Sequence, residues 1–258
     1  MVSEFMLQQT PVARVLPVFE TWMRRWPTPT ALADEPAGEA VRAWGRLGYP
    51  RRAMRLHAAA TAIADHHGGE VPADLDDLRS LPGVGEYTAA AVASFAFGQT
   101  HPVLDTNVRR VLARLETGVE FPASSLTAAE RELARGLLPT TSGARWSAAV
   151  MELGALVCTA RRPGCAACPV QDVCAWRLAG YPAYDGPARR GQSYDGTDRQ
   201  CRGKLLQLLR DSDAPVPMFA LDAVWEKAAQ RERALVSLVA DGLVEPTGDD
   251  RFALSGTQ

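Results

Sequence analysis

Apolar residues recur at three- and four-residue steps through Val12, Val15, Leu16, Phe19, Met23 and Trp26. That spacing is one face of an amphipathic helix, and Pro27 predicts its end. Shorter helices follow, punctuated by Pro29, Pro36, the Gly48-Tyr49-Pro50 break, Gly68-Gly69 and Pro72. Strand-like alternation is nearly absent before residue 240, and the abundant alanine favours helix. The body is therefore expected to be all-α, built from short helices and tight turns. Composition changes over 181–198, where Pro182, Asp185-Gly186-Pro187, Arg189-Arg190-Gly191 and Asp195-Gly196 predict a linker. Beyond it, Leu205, Leu206, Leu208 and Leu209 mark a helix, and Leu221, Val224 and Trp225 a second. Leu235, Leu238 and Val239 mark a third, ending at Asp241-Gly242. Leu243–Glu245 and Arg251–Leu254 then flank a turn at Thr247–Asp250. Three helices and a hairpin outline a small winged-helix-like domain, either a DNA or protein contact or a packing module.

The chain has 258 residues, 47% of them hydrophobic, enough for one large domain or two to three small ones. A net charge of −2 gives no global pull toward nucleic acid or membrane. Of 28 lysines and arginines, only Lys204 and Lys227 are lysine. A lysine nucleophile is thus unavailable in the main body, as is a P-loop, which needs its lysine. No apolar run approaches the roughly 20 residues of a membrane span, and the N-terminus lacks the layout of a secretory signal. A cytoplasmic chain with no membrane partner is expected. Disulfides are rare there, so closely spaced cysteines read as metal ligands or redox groups.

Cys158, Cys165, Cys168 and Cys174 are spaced C-x6-C-x2-C-x5-C. Four thiolates in one run suit zinc or a [4Fe–4S] cluster. A single zinc usually takes two separated pairs, and the tight loop with Pro163, Gly164 and Pro169 favours the cluster. Cys201 lies outside the run and reads as an ordinary residue near a helix start. Leu81-Pro82-Gly83-Val84-Gly85 precedes a small-residue helix from Ala89 to Phe97. Pro82 and the two glycines predict a compact turn that leaves backbone N–H groups open to a DNA phosphate; a plain helix connector has the same pattern. Asp105 stands where a helix begins, with Val108, Val111, Leu112 and Leu115 as its apolar face, and on residue type alone it is a simple N-cap.

Hairpin, aspartate and cysteine run together resemble the helix-hairpin-helix base-excision DNA glycosylases. Ser3-Glu4-Phe5-Met6-Leu7-Gln8-Gln9-Thr10 looks like the signature of the adenine DNA glycosylases, the MutY family, and Leu47-Gly48-Tyr49 matches it too. The resemblance runs from residue 2 to about residue 180. It implies a six-helix domain with the hairpin over 1–102 and a [4Fe–4S] cluster domain over 103–180, ahead of the linker and the winged-helix-like domain over 199–258. It also implies that adenine mispaired with 8-oxoguanine or guanine is hydrolysed from duplex DNA, by a monomer, after being flipped out of the stack. The related endonuclease III carries a lysine two residues after the hairpin's last glycine, where this chain has Tyr87. A lysine-based lyase is therefore chemically unavailable; the Met1 amine is the only formal escape.

The same resemblance assigns roles. Glu4 would be a carboxyl kept protonated in an apolar pocket, acting as general acid at N7 of adenine and then activating water. Asp105 would stay ionised and stabilise the positive charge developing on the sugar, as paired carboxylates do in glycoside hydrolysis. Asn107 would contact the sugar–phosphate and Tyr87 would pack near the lesion pair. Gln9, Thr10 and Tyr49 would fill the gap left by the flipped base, Tyr49 as a wedge rather than a core aromatic because Gly48 and Pro50 predict a loop. Gly83 and Gly85 would meet a phosphate. Arg42, Arg46, Arg51, Arg52 and Arg55 form an acid-free run around Tyr49, either a phosphate contact, chiefly through Arg51 and Arg52, or a solvated helix face. Cys158, Cys165, Cys168 and Cys174 would hold a structural cluster whose loop sets Arg161 and Arg162 against DNA.

Departures from the family pattern sit at both ends. Relatives carry a further helix ahead of Ser3-Glu4, so either the start is misassigned or Glu4 is expected on a fraying end. The residues after Asp198 are too few and too helical for the Nudix-like domain that recognises 8-oxoguanine in many members. Pro50 replaces a second tyrosine. Two other functions fit parts of the pattern. One is a glycosylase for thymine or uracil opposite guanine, against which the acid Glu4 argues. The other is a non-catalytic iron–sulfur DNA-binding protein.

Overall fold

In the computed structural model, which describes residues 1–186 and 194–257, the N-terminal periodicity becomes α1 (Val2–Leu7), α2 (Val12–Arg25), α3 (Pro29–Ala33), α4 (Ala37–Trp44) and α5 (Arg51–His66). The stops fall where proline and capping residues put them. α2 ends ahead of Pro27, and Thr28 caps α3 by accepting from the Ala31 amide at 3.2 Å, with Pro29 in the first turn.

Next come α6 (Leu75–Ser80) and α7 (Glu86–Phe97). Every residue of α7 from Thr88 to Ser94 is buried, so its small side chains suit a helix enclosed on all sides. Gly98, in the left-handed region at φ 67°, ends it. α8 (Thr106–Leu112) runs into a π-helical turn, Ala113–Thr117. α9 (Ala128–Leu137) begins with a capping box of Thr127 and Glu130. α10 (Gly143–Leu156) leads into the cysteine loop, and α11 (Ala175–Leu178) closes it.

Of the linker expected over 181–198, residues 187–193 lie outside the described residues; 181–186 and 194–197 hold only turns and irregular chain. The C-terminal module is α12 (Asp198–Arg210), β1 (Val216–Pro217), α13 (Met218–Asp222), α14 (Ala228–Ala240), β2 (Val244–Pro246) and β3 (Arg251–Leu254). Its antiparallel sheet has the order β1-β3-β2, with Val216 opposite Phe252 and Val244 opposite Leu254. The winged-helix outline is present, with two differences. β1 is too short to show alternation in the sequence. α13 stops at Asp222, leaving Trp225 outside it with its indole N–H on Gln230 Oε1 at 2.8 Å.

Packing groups the described residues into two units, one of 1–72, 80–84 and 194–257, the other of 73–79 and 85–186. In the first, Trp22 meets Trp26 and Trp44 edge-on at 4.7 and 5.8 Å, above buried Met6, Leu56 and Ile63. In the second, Val108 and Leu112 pack with Ala134, and Trp146 and Val150 cover them. No helix among the described residues is long and apolar enough to cross a membrane.

Candidate active site and cysteine loop

Glu4 is half-buried on α1, next to Phe5 and Met6, which are in the core. Burial pushes the Met1 amine down, and the neighbouring Glu4 carboxylate draws it back up. What fixes α1 is Arg52 of α5, a side chain only 6% exposed. Its guanidinium donates to the carbonyls of Phe5 (2.7 Å), Met6 (3.1 Å), Gln8 (2.6 Å) and Gly48 (3.1 Å), and to Thr10 Oγ1 (3.0 Å). The orphan carbonyls at the end of α1 are thereby satisfied. The buried cation is matched by dipoles rather than by a carboxylate, and burial pushes its pKa down.

Thr10, also buried, donates its hydroxyl to the Leu47 carbonyl at 3.2 Å. Thr10 and Arg52, expected at a DNA surface, are thus turned inward and tie the Glu4 helix to the Gly48-Tyr49 turn. Gln9 (φ 58°) and Tyr49 (φ 47°) occupy the left-handed region and are exposed, Tyr49 to 54%. The arginine run is acid-free only along the chain. In the fold Arg42 pairs with Glu39 at 2.9 Å, and the exposed Arg51 pairs with Asp241 of the C-terminal module.

The hairpin glycines differ in what they are for. Gly83 has φ 77°, and a Cβ there would lie 2.6 Å from Arg55 Cβ, so only glycine fits without displacement. Gly85 borders open space and is the N-cap of α7, whose first amides take no side-chain cap. Backbone N–H groups at an exposed helix start form an anion site. Tyr87, one turn on, is half-buried against Ala90, Ala91 and Val103 and lines a cavity with Leu104 and His101.

Asp105 caps α8, accepting the Val108 amide at 2.6 Å. Its other oxygen accepts the Asn107 side-chain amide at 3.1 Å. Burial pushes the Asp105 carboxyl above the usual range, while the bonds from Val108 and Asn107 and the charge of Arg110 pull the other way. Asn107, expected on the sugar–phosphate, has both ends of its amide engaged, because Arg110 Nη2 donates to its Oδ1 at 3.0 Å. Arg110 Nε continues to the Cys158 carbonyl at 2.8 Å, and its Nη2 also reaches the Gly154 carbonyl. A Cβ on Gly154 would come within 2.8 Å of Asn107 Cβ, so α10 approaches the start of α8 only through a glycine. Glu4 and Asp105 belong to different packing units.

The four cysteines of the run are half-buried and form no disulfide. Burial, and then the mutual repulsion of Cys158, Cys174 and Cys165, pushes the Cys168 thiol up. Four thiols in one run suit a group that takes four thiolates, and Asp172, the acid within the run, is paired with Arg177 at 3.4 Å. Among the described residues no three Cys, His, Asp or Glu groups converge on a single ion. Arg114, 1% exposed, donates to Cys158 Sγ at 3.3 Å and to the Thr159 carbonyl at 2.8 Å, and lies 4.6 Å from the Trp176 ring centre. Its positive charge beside thiolate ligands is favourable electrostatically.

Sequence reasoning missed Arg110 and Arg114. Their signal was positional: with Asn107 and Val111 they fall at helical spacing on one face of α8 and its π-turn, and charged residues on a buried face need partners. Arg161 and Arg162 are exposed.

Residues 2–135 match the family model of the HhH-GPD superfamily base excision DNA repair proteins, and residues 158–174 that of the iron–sulfur binding domain of endonuclease III. The chain is 56% identical to the adenine DNA glycosylase of Mycobacterium tuberculosis over 258 residues, 99% of this chain and 84% of that protein. It is 55% identical to that of Mycolicibacterium smegmatis, over 99% of this chain and 87% of the relative. It is 43% identical to the human adenine DNA glycosylase over 67% of this chain and 32% of that protein. Among solved structures it is similar to a thermostable thymine-DNA glycosylase, with TM-score 0.62 and 27% identity over 69% of this chain and 82% of the other. It is also similar to a trapped endonuclease III–DNA covalent intermediate, with TM-score 0.61 and 26% identity over 69% and 83%.

Proposed function

From the premise that this chain belongs to the HhH-GPD superfamily and, within it, to the adenine DNA glycosylases with a [4Fe–4S] cluster, we propose that it hydrolyses adenine from opposite 8-oxoguanine or guanine, as a cytoplasmic monomer on duplex DNA, without lysine-based strand cleavage. Base excision of adenine itself follows from the family. The similarity to endonuclease III–DNA complexes supports the duplex partner, and the lysine-free stretch ahead of Lys204 supports hydrolysis.

The observation that carries the mechanism is Asp105, held by the Val108 amide and the Asn107 side chain at a helix start. Flipping the adenine out of the stack brings its sugar to the protein. Glu4 gives its proton to N7, the C1′–N9 bond breaks, and its electron pair leaves with adenine. Positive charge grows on the sugar, and the Asp105 carboxylate stabilises it. Water adds at C1′, and its proton returns to the Glu4 carboxylate. Tyr49 and Gln9 enter the space of the flipped base. The anion site of the hairpin, at Gly83 and Gly85, takes a phosphate. Thr10 and Arg52 act from behind, as positioning residues. Arg161 and Arg162, both exposed, face backbone phosphate, while Arg51 is taken up by Asp241.

When bound, the [4Fe–4S] cluster supplies a rigid, redox-capable cross-link among Cys158, Cys165, Cys168 and Cys174. The chain's own residues carry that rigidity toward Asp105 through Arg110 and Asn107. The proposed domains are 1–102, 103–180 and 199–258, whereas packing groups 73–79 and 85–102 with the cysteines and 194–257 with 1–72.

The test is one assay with purified protein. Duplexes carry A opposite 8-oxoguanine, A opposite G, or T or U opposite G, and each is treated with and without alkali. Breakage at adenine only after alkali is the expected result. Excision of T or U instead would favour the reading suggested by the thymine-DNA glycosylase fold, and breakage without alkali would overturn the hydrolytic one.

A further inference from the structure

We propose that the C-terminal module is an internal clamp on the segment that carries Tyr49, with Asp241 holding Arg51, rather than a domain that reads DNA. The function of Tyr49 as a wedge is taken from the reading above, and the clamp is built on it.

The docking surface between the module and α4 is made for contact. Gly38 of α4 donates its backbone amide to the Ser255 carbonyl at 2.7 Å. A Cβ at Gly38 would lie 2.6 Å from Thr257 Cγ2 and 2.7 Å from that carbonyl. The approach therefore depends on a missing side chain at a buried position in the first turn of α4. Arg42 caps the far end of α12, donating to the Arg210 carbonyl and, at 2.8 Å, to that of Ser212. Arg210 returns the contact at 3.0 Å to the Val41 carbonyl, and its burial lowers its pKa to about 10.

The clamp proper sits at the end of α14. Asp241, with a side chain only 10% exposed, pairs with both Arg51 and Arg202. Burial pushes its carboxyl up, and the two guanidinium groups more than offset this, leaving it below the usual range. Arg51 begins α5, two residues after Tyr49. The turn between them is pinned from the other side by Trp44 Nε1 and Arg52, both on the Gly48 carbonyl at 3.0 and 3.1 Å. The exposed Tyr49 thus projects from backbone fixed on two sides, and one of those sides is the C-terminal module.

The tip of the module's hairpin is poorly suited to phosphate. It is Thr247-Gly248-Asp249-Asp250, with both aspartates exposed, and like charge repels a phosphate backbone. The exposed Arg233 on α14 is paired with Asp198.

The experiment uses the full chain and the variants Asp241→Asn, Arg51→Gln and the double variant. Hydrogen exchange of residues 46–52 in the free protein reads the clamp without reference to catalysis. Asp241→Asn should speed exchange there by about tenfold, the worth of one charge-assisted hydrogen bond. The double variant should be no faster than Arg51→Gln alone. Preference for A opposite 8-oxoguanine over matched duplex should fall in all three. Unchanged exchange over 46–52, or additive effects in the double variant, would overturn the clamp. So would an Asp241→Asn that weakens every duplex equally with exchange unaltered, since the module would then be reading DNA. If Asp241→Asn does not fold, Arg51→Gln, on a 58% exposed side chain, breaks the same pair. Should the wild type excise no adenine, the functional reading fails, while the exchange result still decides whether the clamp exists.

Discussion

The Asn107 side-chain amide donates to Oδ2 of Asp105 at 3.1 Å. Asn107 in turn accepts from Arg110, which holds the Cys158 carbonyl. Two polar side chains, Asn107 and Arg110, therefore join the proposed charge stabiliser to the first cysteine of the cluster loop.

Removing that bond should be visible in a pH profile. In the proposed mechanism Asp105 acts as the carboxylate, so activity should fall as pH drops through its pKa. Burial already lifts that pKa, and the Asn107 bond lowers it. Asn107→Ala should move the acid limb of kcat to higher pH and lower kcat by about 10- to 100-fold, the worth of a bond to a charged group. An acid limb that stays in place would show that Asn107 does not set the titration of Asp105.

The same raised pKa gives a stability prediction of unusual sign. An acid whose folded pKa lies above its unfolded one costs stability once ionised. The cost grows as pH rises from the ordinary aspartate value of 3.8 through the folded value. Asp105→Asn keeps a good N-cap and removes the buried charge. Its Tm at neutral pH should equal or exceed that of the wild type while excision falls by about 100-fold or more. A clear loss of Tm would mean that the carboxylate is structurally favourable.

Arg110→Ala should cost iron as well as rate. The side chain bridges Asn107, Gly154 and Cys158, and residues behind metal ligands are typically worth about 10- to 100-fold in affinity or activity. Iron per chain and visible absorbance should fall together with kcat. Full iron content with reduced kcat would confine Arg110 to the Asp105 side.

Tyr87→Lys tests the lyase argument directly. Wild type should give no borohydride-trapped covalent complex with DNA. The variant, with an amine on the first turn of α7, should give one and should cut without alkali. Trapping by the wild type at comparable yield would identify another amine as nucleophile.

Gly154→Ala probes the close approach of α10. A Cβ there would stand 2.8 Å from Asn107 Cβ and 2.9 Å from the Asn107 carbonyl. Overpacking of this kind costs about 1–3 kcal/mol, so Tm should drop by several degrees. Excision should fall beyond what the lost stability explains, because the displaced element is the one that carries Asp105. Wild-type excision at a reduced Tm would show that α8 absorbs the strain without moving Asp105.

What the sequence determined by itself was local chemistry. The C-x6-C-x2-C-x5-C run, the Leu81–Gly85 hairpin and the N-cap at Asp105 each lie on one short stretch, where spacing along the chain fixes spacing in space, and the lack of lysine ahead of Lys204 is a matter of composition alone. The helices α2 and α12 and the β2–β3 hairpin were legible for the same reason, since a periodic apolar face needs no distant partner to declare itself. Tertiary structure decided the fate of the buried cations and amides. Arg52 and Arg51 stand side by side in the sequence, yet one points into the carbonyls of α1 and the other meets Asp241 from the far end of the chain. Thr10 and Asn107 look like surface contacts until the acceptors of Leu47 and the donor of Arg110 close on them. A polar group taken out of water must find partners, and those partners come from wherever the fold brings the chain back. That is why the arginine run, a phosphate contact or a solvated helix face in one dimension, contains in three Arg52 and Arg51 as framework behind the proposed wedge.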